Sequence, residues 1–232
     1  MALFILILLT NLIFIISLIY CLYLLISNYH KIGYIKVFAI TCTIGLIQSV
    51  VINMLSFKEY KASVNFYRDA SLSLYVISEY FTLLLFFFNE IKARSIKLIV
   101  KSIAITSLII LVIGLFDDLN FIITNYETIC LTEAGLMIFL SISILIDTLF
   151  DDSIKSFFNS QKFLIASGVL FLFSITLPYY ILTKYLNAHK YNVLLEMNLI
   201  NLVGYSIFYF AISKSIKLTA QKFIEIELKD HK

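Results

Sequence analysis

Glu79 stands within the apolar stretch SLSLYVISEYFTLLLFFF, residues 71–88. An ionised carboxylate in hydrocarbon costs about 3 kcal/mol on insertion scales. A carboxyl in such a place holds or passes a proton, pairs with a cation or amine, or serves as a neutral hydrogen-bonding acid. Tyr75 lies four residues before Glu79 and Thr82 three after it, with Ser71 and Ser78 nearby. In a helix these residues share one face. The opposite side is Leu, Ile and Phe, so the polar stripe is expected to point into a bundle rather than at lipid.

Further along the chain are other polar groups that can join it. Glu133 sits five residues into a second apolar run, with Thr132 beside it. Asn198, Asn201, Tyr205 and Tyr209 recur at spacings of three and four and form one face of the last run. SITLPYYIL supplies Tyr179 and Tyr180 after Pro178, whose missing N–H frees a carbonyl one turn earlier and is expected to kink its helix. Placed at similar depth, Glu79, Tyr75, Glu133, Asn198 and Asn201 are expected to line an outward-facing polar cavity, a ligand site. Glu79 would be neutral while the cavity is dry and ionised when a cation or amine enters. Plainer roles stand beside this one. Glu79 is equally at home as a structural acid, Glu133 as a wetted or protonated group, and the asparagines as links between helices. Gln48, Asn53 and Asn11 fit that linking role.

Much chemistry is absent. The chain has no H-E-x-x-H, G-x-S-x-G, P-loop or G-x-G-x-x-G. Cys21, Cys42 and Cys130 have no metal or redox spacing and read as small apolar side chains. His30, His189 and His231 fall in loops or the tail and read as solvated surface. No metal, no cofactor and no catalytic residue is expected, although an intramembrane lipid enzyme using Glu79 stays open.

The elements that must carry these residues follow from composition. Of 232 residues 61% are hydrophobic and 14% charged, where a soluble domain carries about 25% charged; the mean hydropathy is +0.95. Apolar runs near 2–28, 36–57, 71–90, 98–116, 128–150, 163–186 and 193–213 each approach the roughly 20 residues that cross hydrocarbon. Without period-two alternation, and with every backbone group needing a partner in lipid, they predict helices. The expected fold is an all-α polytopic membrane protein: a seven-transmembrane-helix bundle over 1–213, then a short basic juxtamembrane helix or tail over 214–232 that extends the seventh helix or turns onto the membrane. The first run lacks the basic start and cleavage site of a signal peptide.

Lysine and arginine decide the orientation. With the N-terminus outside, 13 of the 18 basic residues face the cytoplasm, and the outside keeps Lys58, Lys61, Arg68, Lys184 and Lys190. That bias predicts an external N-terminus and a cytoplasmic C-terminus. A net charge of +3, scattered among spans, gives no reason to expect nucleic acid. No G-x-x-x-G seam appears, which predicts a monomer or homodimer.

Tyr75, Glu79, Tyr80 and Phe81, followed by a Phe-rich run and a short basic loop, resemble a set of uncharacterised bacterial seven-helix membrane proteins; Asn198 to Tyr205, NLINLVGY, looks similar too. These proteins are similar to the detached seven-helix sensory regions found ahead of some bacterial histidine kinases. The resemblance implies a sensor in the bacterial inner membrane, coupling an external or intramembrane ligand to a cytoplasmic signalling partner. No output domain follows the last span, so such a signal would pass to a separate partner. The contrasting expectation is an effector that oligomerises and perturbs the membrane in stress or phage defence.

Overall fold

The structure, a computed structural model, describes the backbone of residues 2–56, 62–117, 126–151, 157–188 and 194–230. The side chains of 2–8, 50–72, 111, 113–128, 183–198, 227, 229 and 230 lie outside the description. The described residues are helical, with no strand: α1 (Ala2–Ser27), α2 (Phe38–Ser56), α3 (Ala62–Glu90), α4 (Arg94–Asp117), α5 (Tyr126–Leu149), α6 (Gln161–Ala188) and α7 (Leu194–Asp230). Two short 3-10 turns, Gly33–Val37 and Phe157–Asn159, precede α2 and α6.

Four stretches are long and apolar enough to cross a membrane: Leu9–Ser27, Ile129–Leu149, Gln161–Leu182 and Leu199–Ile226. The apolar stretch of α2 within the described residues, Gly33–Ser49, is shorter. Two elements run further than the apolar runs alone predict. α3 begins at Ala62, so the helix that carries Glu79 starts well before residue 71. Residues 214–230 continue α7 without a break. Its mixed apolar and charged residues suit a helix leaving hydrocarbon for water.

The helices pack as a closed circuit. α1 lies against α2, α2 against α3, α3 against α5, α5 against α6, α6 against α7, and α7 against α1; α4 packs on α3 from outside. The reversal from α1 into α2 is made at Gly33, whose φ of 54° is easy only for glycine. α1 and α7 run side by side in the same direction, since Phe14 meets the rings of Tyr205 and Tyr209 while Lys217 lies 5.2 Å from the ring of Tyr20.

A large apolar core fills most of the circuit among the described residues. Leu18, Leu25, Phe38, Phe86, Phe87 and Phe208 are each almost fully buried in it. The outer faces keep large exposed side chains such as Ile13, Ile16, Ile109 and Phe210. Apolar outside as well as inside is what a bundle surrounded by lipid requires. α4 is the extreme case: Leu98, Ile99, Ile105, Leu108, Ile109 and Ile110 are all exposed. Its polar link is Ser107, whose hydroxyl meets that of Tyr80 at 2.8 Å.

A buried carboxyl held by tyrosines as the candidate functional site

The i to i+4 spacing of Tyr75 and Glu79 on α3 has its expected result. The Tyr75 hydroxyl donates to Glu79 Oε1 at 3.4 Å. Glu79 is 1% exposed and Tyr75 3%. From α7 the Tyr205 hydroxyl donates to Glu79 Oε2 at 3.0 Å, and the Tyr209 hydroxyl stands 2.7 Å from that of Tyr75. With Tyr75 donating to Glu79, Tyr209 donates to Tyr75. The order Tyr209, Tyr75, Glu79, Tyr205 is then a continuous run of oxygens that crosses twice between α3 and α7.

Packing holds these rings in place. Tyr75 and Tyr205 meet edge to face at 5.8 Å, and Phe14 of α1 stands 6.0 Å from Tyr205 and 6.1 Å from Tyr209. On the α2 side, a Cβ placed on Gly45 would lie 2.9 Å from Tyr75 Cε2, so glycine lets α2 approach the ring. One turn along, the Thr41 hydroxyl donates to that of Thr82 at 2.8 Å and lies 3.3 Å from the Ser78 carbonyl oxygen. Cys42 and Cys21 sit beside this layer with their sulfurs 3.7 Å apart, both buried and unbridged.

Glu133 of α5 is a second buried acid among the described residues, 3% exposed, and its Oε1 has no hydrogen-bond partner. One turn before it, Cys130 packs in a small cluster with Tyr75, Val76 and Tyr180. A residue three positions on shares that face. Among the described residues neither Glu79 nor Glu133 forms an ion pair. Two buried acids without a countercharge are stable when both carry a proton or when a cation joins them. Among the described residues no group of three or more His, Cys, Asp or Glu stands together.

The sequence-derived set divides as follows. Tyr75 and Glu79 are in direct contact. Glu133 is buried in the same bundle. Asn201 serves a different pair of helices: its Oδ1 accepts from Thr176 of α6 at 3.1 Å. That hydroxyl also lies 2.9 Å from the Leu172 carbonyl oxygen, one turn back in the helix that contains Pro178. The side chains of Asn198 and Ser71 lie outside the described residues. Tyr205 and Tyr209 contribute to the site and were absent from the expected cavity, although their spacing puts them on the Asn201 face of α7. The signal that could have found them is that a buried phenol must place its hydroxyl on a partner.

No family model, no curated protein and no solved structure matches this chain.

Proposed function

We propose that the chain is a seven-helix, receptor-like sensor of a bacterial cytoplasmic membrane, with its N-terminus outside and its C-terminus inside. A proton or small cationic ligand acts at Glu79, and α7 passes the change to a cytoplasmic partner. The observation that carries this reading is the Tyr209, Tyr75, Glu79, Tyr205 run that ties α3 to α7. A sensor needs an element with two arrangements that the signal favours unequally. Adding or removing charge at Glu79 changes what both tyrosines of α7 bind, and so what holds α7 against α3.

The output follows from the length of α7. Its 37 residues form one helix about 55 Å long at 1.5 Å per residue, against roughly 30 Å of hydrocarbon. The helix that holds Tyr205 and Tyr209 therefore also presents Phe223, Ile224, Ile226 and Leu228, all exposed, beyond the bundle. Together with Lys222 these ring the end of α7, where a protein partner can dock. Near the same level, the Lys222 ammonium group lies 3.4 Å from the Asn159 carbonyl oxygen in the link between α5 and α6, a fixed point against which movement of α7 is measured.

The test uses the full chain in lipid nanodiscs with spin labels on Asn159→Cys and Glu225→Cys. The native cysteines are buried. The distance between labels is expected to change as the pH is raised from neutral, since a carboxyl that is neutral while buried responds by losing its proton, and Glu79→Gln is expected to abolish that change. Other groups also lose protons as the pH is raised, so the comparison with Glu79→Gln carries the test. An identical response in the Gln variant would remove Glu79 from the mechanism, and no response in either would remove proton sensing.

A further inference from the structure

α1 and α7 run in parallel and leave between them an outward-facing groove of about 600 Å³. This size falls within the roughly 300–1,000 Å³ of sites that take small organic ligands. Ile13 and Ile16 of α1 and Ile207 and Phe210 of α7 form its walls, and all four are exposed. Ser17 and Ser206 lie between them, and their hydroxyls bond back to their own helices, onto the Phe14 and Leu202 carbonyl oxygens. The lining is therefore apolar along most of its length. We infer that this groove binds an anionic phospholipid, with an acyl chain along the groove and the headgroup at Lys217.

Three observations select this occupant. The first is length. The lining runs from Thr10 to Tyr20 on α1 and from Val203 to Ser213 on α7, about 15 Å on each helix. That is half of the roughly 30 Å hydrocarbon thickness, the depth of one leaflet. A second copy of the chain docking by a spanning helix would need a matching face across the whole thickness.

The second observation is charge at one end only. Lys217 follows Ser213 by one helical turn and so continues the groove's line. Its ammonium group lies over the Tyr20 ring at 5.2 Å. This places a cation where a headgroup phosphate would lie above a chain seated in the groove.

The third is an unpartnered polar group at that end. Ser213 lines the groove, is 2% exposed, and its hydroxyl has no hydrogen-bond partner. An ester or phosphate oxygen of a lipid is an acceptor of the kind it lacks. α1 and α7 both contain stretches able to cross a membrane, so the groove faces acyl chains whatever the protein senses.

The experiment is native mass spectrometry of the delipidated full chain in detergent, titrated with phosphatidylglycerol or phosphatidylcholine carrying the same acyl chains. The wild type is expected to retain phosphatidylglycerol about fivefold more tightly, the effect of one lysine near an anionic surface. Lys217→Gln lies outside the groove walls and is expected to bring the two lipids to parity. Ser206→Phe fills the groove and is expected to weaken both. Equal retention of the two lipids by the wild type would overturn the inference, as would unchanged selectivity in Lys217→Gln. A dimer that Ser206→Phe converts to monomer, with lipid retention unaltered, would assign the groove to a second copy instead.

Discussion

Replacing Glu79 by leucine tests what the carboxyl contributes to the bundle. In the native protein Glu79 accepts from Tyr205 at 3.0 Å and from Tyr75 at 3.4 Å. Leucine removes both acceptors. Tyr75 keeps a partner, because its hydroxyl also meets Tyr209 at 2.7 Å. The Tyr205 hydroxyl has no second hydrogen-bond partner among the described residues, so one half-buried polar group loses its acceptor. Such a loss costs about 1–3 kcal/mol. Tyr205→Phe alone removes a donor from Oε2 and is expected to cost about 1 kcal/mol. In the double variant Glu79→Leu/Tyr205→Phe both sides of the pair are apolar, and the second change is expected to recover part of what the first lost.

The expected coupling between the two sites is about 0.6 kcal/mol, the average measured for hydrogen bonds between membrane helices, and at most about 1.7 kcal/mol. Glu79→Gln keeps an acceptor and adds a donor, and is expected to stay within about 1 kcal/mol of the wild type. The assay is reversible unfolding of the purified chain in mixed micelles, monitored by loss of helicity, for the four proteins of the cycle. Additivity of the two substitutions to within about 0.3 kcal/mol would refute the assignment of Tyr205 as a partner of Glu79.

Gly45→Ala is expected to destabilise by about 1–3 kcal/mol in the same assay, despite alanine's better helix propensity, because the added Cβ would lie 2.9 Å from the Tyr75 ring; a stabilised variant would mean that α2 can move away freely. At the opposite end of the bundle Asp151 accepts from Lys92 at 2.9 Å and from Lys162 at 3.1 Å. Asp151→Asn is expected to cost about 0.5–1 kcal/mol, whereas Lys92→Gln should change little, since that side chain is 69% exposed. The hydrogen bond to Asp151 raises Lys92 above the usual lysine range. Its contribution is present at neutral pH and is lost only as the pH rises through that range, but with the ammonium group in solvent it is small, so wild type and Lys92→Gln are expected to unfold alike at neutral and alkaline pH. Reporter fusions after Lys36, Lys97 and Lys162 and at the C-terminus are each expected to report cytoplasm; an external C-terminus would overturn the seven-crossing orientation.

The helical character of the chain is decided locally. Long apolar runs without alternation leave no other way to pair their backbone groups in lipid, and the described residues form helices in each of the seven expected regions. The Tyr75 to Glu79 contact was legible for the same reason, since residues four apart on a helix must be neighbours. The contacts across the bundle depend on how each helix is rotated and which helix lies beside it, and no spacing within one segment encodes either. Asn201 and Tyr205 share a face of α7, yet Asn201 meets Thr176 of α6 while Tyr205 meets Glu79 of α3. A face about 100° wide can look toward two neighbours at once. Likewise α1 and α7 are far apart in the chain, and their groove exists because the circuit closes there. Local pairing of backbone groups makes each helix; packing between helices then chooses which of its polar residues meet, because the choice is a property of two surfaces and is written in neither alone.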